Sequence, residues 1–106
     1  MKLGIVISSN EAESVWNAFR LGVFSQKAGD GTKVFLLGKG VESENIKDAK
    51  FNVPEQMKTF VAAGGKIFSC GSCLKIRNSG GSEICPISTM KDLHEIIKES
   101  EKVICL

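Results

Sequence analysis

The sequence KLGIVI occupies residues 2–7 and is a short, almost continuous apolar run, which is typical of a parallel strand covered on both faces. An amphipathic helix is predicted over residues 11–28, and a second strand, TKVFLL, at residues 32–37. The helix is predicted from apolar residues that recur at helical spacing, namely Ala12, Val15, Trp16, Phe19 and Val23. Strand, helix and strand in this order predict the βαβ unit of a parallel sheet.

The same alternation continues along the rest of the chain. It predicts a single domain over residues 1–106, an α/β three-layer sandwich with a mostly parallel five-stranded sheet and helices on both faces. The later elements are predicted as a short helix and loop at 41–52, a helix from 54 to 63, a strand at 66–69, a short helix at 74–77, a short strand at 84–87, a helix at 90–97 and a strand at 102–106.

Composition and charge exclude several classes of function. The 106 residues carry 14 basic and 12 acidic side chains, a net charge of +2, and the six Phe and one Trp are not interleaved with basic residues. A nucleic-acid binder would need a basic surface with stacking aromatics. No apolar run approaches the ~20 residues of a membrane span, and the apolar run at 2–7 is too short for a signal peptide. A cytoplasmic protein without nucleic-acid or membrane partners is expected.

The cysteines are the most informative residues for function. Cys70 and Cys73 form a Cys-x-x-Cys pair, while Cys85 and Cys105 stand apart. In a chain without a secretory signal, reduced thiols with metal or redox chemistry are favoured over a disulfide scaffold. A zinc site would need two further ligands, and neither a second Cys-x-x-Cys nor a His-x-His is present beside the single His94. No metal is expected, and no cofactor, because glycine-rich nucleotide loops are absent.

The Cys-x-x-Cys pair is predicted where the third strand meets a short helix. In a parallel sheet the working site lies at the carboxyl ends of the strands. A helix start favours a thiolate over a thiol, and Lys75 and Arg77 add positive potential nearby. Cys70 is therefore predicted as a nucleophile or sulfur-carrying atom, with Cys73 as its resolving partner. The structural alternative is that both are ordinary small buried residues.

Other polar residues receive weaker predictions. Ser9 and Asn10 follow the first strand, and Asn10-x-x-Glu13 resembles the capping box of the first helix. Their place at a strand end also makes Ser9 and Asn10 candidates for binding the substrate or an anion.

The remaining cysteines and the histidine are assigned from their neighbours in the sequence. Cys85 is placed so that it could approach Cys70 across the top of the sheet, whereas Cys105 is expected in the core. His94 is expected at the surface, and the charged residues 42–50 are expected to form a solvated face.

The sequence resembles the DsrE/DsrF-like group, small sulfur-relay proteins that include the TusD-type subunits. The most specific feature is a strand-end cysteine followed seven residues later by arginine, here Cys70 and Arg77, with Asn78 where glycine is usual. Asparagine also tolerates a left-handed backbone. The resemblance covers nearly the whole chain and further includes residues 2–7 with the following helix, residues 34–37 with Gly38, and Gly64-Gly65-Lys66-Ile67 before the cysteine.

The resemblance implies that Cys70 accepts sulfur as a persulfide and passes it on, with donor and acceptor proteins as partners. It also implies a homo- or hetero-oligomer, often a trimer or a hexamer. Cys73 has no required counterpart in the TusD-like pattern, which leaves an internal disulfide or trisulfide open. Two alternatives to a persulfide carrier or sulfurtransferase remain: a dithiol–disulfide redox module that uses Cys70 and Cys73, and a non-catalytic oligomeric binding subunit.

Overall fold

A computed structural model describes residues 1–106 and contains one sheet of five strands. The strands lie in the order β4-β3-β2-β1-β5, and every neighbouring pair is parallel. This confirms the predicted five-stranded α/β sheet, which is parallel throughout. The strands are β1 (Lys2–Ile7), β2 (Gly31–Leu36), β3 (Lys66–Cys70), β4 (Ile87–Ser88) and β5 (Lys102–Cys105).

Helices cover both faces of the sheet, which confirms the predicted sandwich. The chain steps outward from β1 to β4 and then returns to β5 on the far side of β1. Right-handed crossovers place the outward helices on one face and the returning helix on the other. The helices are α1 (Ala12–Lys27), α2 (Val53–Ala62), α3 (Gly71–Ile76) and α4 (Met90–Glu99), with a 3-10 helix at Gly38–Asn45 after β2. None of them is both long enough and apolar enough to cross a bilayer.

The core lies mainly between the sheet and the helices α1 and α2. Phe19 of α1 meets Phe60 of α2 edge to face, with ring centroids 5.8 Å apart, and both rings are fully buried. On the opposite face α4 approaches β1 closely: a Cβ added to Gly4 would lie 3.1 Å from Ile96 Cγ2. Burying one large apolar side chain contributes about 1.5–3 kcal/mol to the free energy of unfolding. The packing of the helices on both faces therefore fixes the sheet that carries the strand-end residues.

The first helix begins differently from the prediction. The Glu11 carboxylate accepts hydrogen bonds from the backbone N–H groups of Glu13 and Ser14, at 2.8 and 3.1 Å, so Glu11 caps α1. The capping box predicted at Asn10 is wrong, because Glu11 satisfies two N–H groups and places negative charge at the positive end of the helix. Ser9 accepts a hydrogen bond from Glu11 N at 3.0 Å and shapes the turn before the helix.

The fourth strand is shorter and later than the predicted 84–87. Pro86 has no N–H to donate, but its carbonyl accepts a hydrogen bond from Ser69 N at 3.1 Å, and ladder pairing begins only at Ile87. Ser88 is then the partner of Cys70 in the parallel register. The short strand therefore ends beside the first cysteine of the Cys-x-x-Cys pair.

Cys105 was predicted in the core, and this is wrong. It is exposed, because β5 is an edge strand with β1 as its only neighbour. On the same strand Val103 is 37% exposed, which shows how little of this edge the fold covers.

Candidate functional site

Cys70 is the last residue of β3 and the N-cap residue of α3. Its backbone has φ −60° and ψ 116°, and the helical turn begins directly after it at Gly71. The residue is only 3% exposed and its thiol is free. The sequence prediction that places this cysteine where a strand end meets a short helix agrees with the structure.

The environment of Cys70 favours the neutral thiol. Burial raises the pKa of Cys70, and the Cys73 side chain raises it further through a hydrogen bond and its charge, while the backbone N–H groups of Cys73 and Ser72 act in the opposite direction. The expectation that the helix start would ionise Cys70 is therefore wrong. Helix α3 has only six residues, and the loss of hydration outweighs the attraction of its few free N–H groups.

Cys73 lies in a different environment, although it is only one helical turn away. Its side chain is half-buried, and its Sγ accepts a hydrogen bond from the backbone N–H of Gly38 at 3.2 Å. Gly38 starts the 3-10 helix after β2 and has φ 55°, a left-handed conformation that favours glycine. The Cys73 thiol, in the helix that follows β3, thus faces a backbone N–H donor at the end of the neighbouring strand β2.

A chain of hydrogen bonds between polar side chains holds α3, the helix that begins after Cys70 and contains Cys73. Arg77 Nε donates to Glu42 Oε2 at 2.6 Å, and Arg77 Nη1 donates to the carbonyl oxygen of Cys73 at 3.1 Å. Asn10 Nδ2 donates to the other Glu42 oxygen at 3.2 Å. The hydrogen bond from Arg77, followed by that from Asn10, lowers the pKa of Glu42. The guanidinium is therefore already paired, and Arg77 positions α3 rather than offering a free charge.

Glu42 and Gly38 are the site residues that the sequence analysis missed. Residues 42–50 were predicted as a solvated face, but Glu42 pairs with Arg77, and Glu44 accepts from Ser82 Oγ at 2.7 Å. Each of the contacts that Glu42 and Gly38 make with the cysteine helix spans 35 residues of sequence, so no local pattern reveals them. The only available signal is the position of Gly38 directly after a strand end.

An open cavity of about 410 Å³ borders Cys70 on the side of β4 and α4. Lys75 lines this cavity and carries a positive charge at its wall, while Ile87 and Met90 form an apolar rim and are 63% and 56% exposed. Cys70 is therefore a buried residue that borders a space large enough for a small group or a partner side chain. Of the basic residues predicted at the site, Lys75 borders this space and Arg77 does not.

Ser9 and Asn10 are brought into the site to different extents. Asn10 joins Glu42 and through it Arg77, whereas the hydrogen bond of Ser9 goes only to the start of α1. Asn10 thus contacts the residue that pairs with Arg77, and its predicted role in binding a substrate or an anion stays a prediction.

Cys85 lies in a separate buried environment. It is 4% exposed, and burial followed by the negative charge of Glu44 raises its pKa to about 12. The side chains that shift the pKa of Cys85 are those of Glu44, Ser82 and Ser69. All four residues line a second cavity of about 450 Å³. The raised pKa favours the neutral thiol, and Cys85 and Cys70 line different cavities.

No group of three or more His, Cys, Asp and Glu side chains is arranged to hold a metal ion. All four cysteines are free, and His94 is exposed, as predicted. Cys70 and Cys73 are the two neighbouring thiols at this edge of the sheet.

Comparison with known proteins places this architecture in a family. The chain is similar in structure to the ychN protein from E. coli, with a TM-score of 0.83, 18% identity and complete coverage of both chains. It is also similar to the conserved protein of unknown function BT1422 from Bacteroides thetaiotaomicron, with a TM-score of 0.80, 20% identity and coverage of 99% of this chain and 94% of that one. None of the curated proteins matches the sequence. The model of the DsrE/DsrF-like family matches residues 1–106, and the chain belongs to that family.

Proposed function

We propose that this protein is a persulfide carrier, a small sulfurtransferase that holds sulfur on Cys70 and passes it between a donor and an acceptor protein. The observation that carries the proposal is the pair of free thiols at the carboxyl edge of the sheet, one of which borders an open cavity. Four reduced cysteines suit a reducing compartment, which supports a cytoplasmic location. The whole chain is proposed to act as one domain.

The proposed exchange needs no oxidant, reductant or metal. The sulfur of Cys70 bonds to the outer sulfur of a donor persulfide, R–S–SH, and the S–S bond of the donor breaks. The proton that Cys70 gives up leaves with the donor as R–SH, and the product is Cys70–S–SH. An acceptor thiol then takes the outer sulfur in the same way, which restores Cys70.

The position of Cys70 suits storage. At 3% exposure the sulfur atom is shielded from small thiols and oxidants in bulk solvent, while the adjoining cavity leaves room for one more sulfur atom. The Lys75 ammonium at the cavity wall is available to a persulfide anion or to an acidic residue of a partner.

Intact-mass measurement tests the proposal. The protein is loaded with a persulfide donor, freed of donor and washed with a low-molecular-weight thiol, which strips exposed persulfides. We expect a retained increase of about 32 Da, one sulfur atom, in the parent protein and in the control Cys105→Ser, and no retained increase in Cys70→Ser. Loss of the adduct from the parent, or its retention in Cys70→Ser, would reject Cys70 as the storage site.

A dithiol–disulfide module is the second candidate, and the direct interaction between the thiols of Cys70 and Cys73 favours it. In this function the two thiols lose two protons and two electrons to an external disulfide or another two-electron oxidant, and the protein becomes lighter by about 2 Da. Titration against glutathione buffers with mass detection tests this function, because a redox module loses about 2 Da there reversibly, whereas a carrier gains about 32 Da only when a persulfide donor is added.

The protein is also proposed to form a homo-oligomer, a trimer or a hexamer, as the family resemblance implies. Large apolar side chains on the α4 side of the sheet support an interface there: Met90, Ile97 and Val103 are all exposed. Sedimentation equilibrium tests this proposal, and a mass near 11.4 kDa at micromolar concentration would contradict it.

A further inference from the structure

We propose that Cys73 is the thiol that first accepts sulfur from the donor and that it then hands the sulfur to Cys70. This inference rests on the proposed function and divides the work between two neighbouring cysteines: one captures sulfur at the surface, and the other stores it inside.

The surroundings of Cys73 suit capture. Its side chain is half-buried, so a donor persulfide reaches it with less rearrangement than it needs to reach the 3% exposed Cys70. The Gly38 N–H, 3.2 Å from the Cys73 sulfur, is positioned to donate to a thiolate. This contact fixes the orientation of the Cys73 sulfur beside the end of β2.

Both partners of the hydrogen bond between the Gly38 N–H and the Cys73 sulfur are fixed in place. The backbone N–H of Gly38 is fixed in direction by the φ of 55° at this residue, which follows β2. Strand β2 is itself fixed by continuous pairing with β3 from Lys33 to Leu36. On the other side Arg77 donates to the Cys73 carbonyl oxygen at 3.1 Å and is itself paired with Glu42. The Cys73 sulfur is thus held against its donor by contacts on both sides, which suits a preorganised nucleophile.

Cys70 has the opposite properties. Burial raises the pKa of this thiol, so at neutral pH it is a poor nucleophile towards a donor in solution. The same burial protects a persulfide once it is formed. Cys73 is the side chain that acts on this thiol, and Cys70 also borders the cavity that Lys75 lines.

The two steps balance without a co-reactant. First, the Cys73 thiolate bonds to the outer sulfur of R–S–SH, the donor S–S bond breaks, and R–S⁻ leaves, which gives Cys73–S–SH. Second, the Cys70 sulfur bonds to that outer sulfur, and its bond to Cys73 breaks. The proton of Cys70 passes to the Cys73 sulfur, so the products are Cys70–S–SH and Cys73–SH.

Rapid-quench mass spectrometry with a glutathione persulfide donor tests the order. We expect Cys73→Ser to load Cys70 to the same final extent as the parent but at least tenfold more slowly, because the donor must then reach the buried thiol directly. Cys105→Ser is the matched control and loads at the parent rate. Cys70→Ser gains sulfur on Cys73 before the thiol wash and loses it during the wash.

The outcomes separate this inference from the proposed function. A parent protein that takes up no wash-resistant sulfur refutes the carrier itself. If the parent loads and Cys73→Ser loads at the same rate, Cys73 is not the first acceptor, although the carrier function stands. A second variant, Cys73→Ala, with a melting temperature within a few degrees of the parent, excludes misfolding as the cause of a slower rate.

Discussion

Replacing Gly40 by alanine is expected to destabilise the protein strongly, because this glycine lies against the backbone of β1. A Cβ at residue 40 would be 2.0 Å from the carbonyl oxygen of Ile7 and 2.8 Å from its carbonyl carbon. The carbonyl cannot move away freely, since it accepts the hydrogen bond of Leu37 N at 2.9 Å. Overpacking against rigid neighbours costs up to about 3 kcal/mol, and for a domain of this size that cost lowers the melting temperature by roughly 12–20 °C.

Thermal unfolding followed by circular dichroism measures this change, with Gly31→Ala as the matched control. A Cβ at Gly31 meets no atom within 4 Å, so that variant is expected to melt at the parent temperature or slightly above it. The Gly40 variant also displaces the 3-10 helix that carries the Gly38 N–H, and slower sulfur loading is expected with it. Equal melting temperatures for Gly40→Ala and the parent would refute the close approach on which this reasoning depends.

Three further predictions follow from the environments of the thiols and of Glu42. At pH 8 iodoacetamide is expected to modify Cys105 and Cys73 before Cys70, and Cys85 last. The rate at Cys85 should be about a thousandfold lower than that of a free thiol, because a pKa of about 12 leaves only ~0.01% of this residue as thiolate. Peptide mapping over time checks the order, and early labelling of Cys85 would contradict it. Because the folded-state pKa of Cys85 lies above its ordinary value of 9.0, its contribution to stability is complete below pH 9 and declines as the pH rises towards about 12. Urea unfolding between pH 8 and 11 should show this decline in the parent and a flatter profile in Cys85→Ala. Glu42 has a lowered pKa, so its contribution is present above pH 4.5 and declines as the pH falls through the folded-state value. The difference in stability between the parent and Glu42→Gln should therefore disappear in acid, and a difference that persists at pH 2 would contradict the assignment.

The sheet and its helices could be predicted from the sequence because they follow from local hydrophobic patterns. The apolar run at 2–7, the helical spacing that includes Phe19, and the strand before Cys70 each predict their own element. Alternation of strands and helices then restricts the topology to a parallel sheet. The predicted ends of the elements were less accurate where a single side chain determines the first residue of a helix. An example is α1, which is capped by the Glu11 carboxylate and not by Asn10.

The position of the site could be predicted from the sequence, but its electrostatics could not. Strand-end placement identifies Cys70, whereas its burial depends on β4 and α3 closing around it. The contacts of Gly38 with Cys73 and of Glu42 with Arg77 join residues 35 positions apart and depend on the packing of the 3-10 helix against α3. These long-range pairs add a backbone donor at Cys73 and pair the Arg77 guanidinium, and neither contact follows from a local sequence pattern.

The retained mass of the parent protein after loading and thiol washing tests the central claim most directly. Sulfur storage on Cys70 predicts a gain of about 32 Da that maps to the peptide containing Cys70. An unchanged mass, or a loss of about 2 Da from a Cys70–Cys73 disulfide, would contradict storage as the function of this buried thiol.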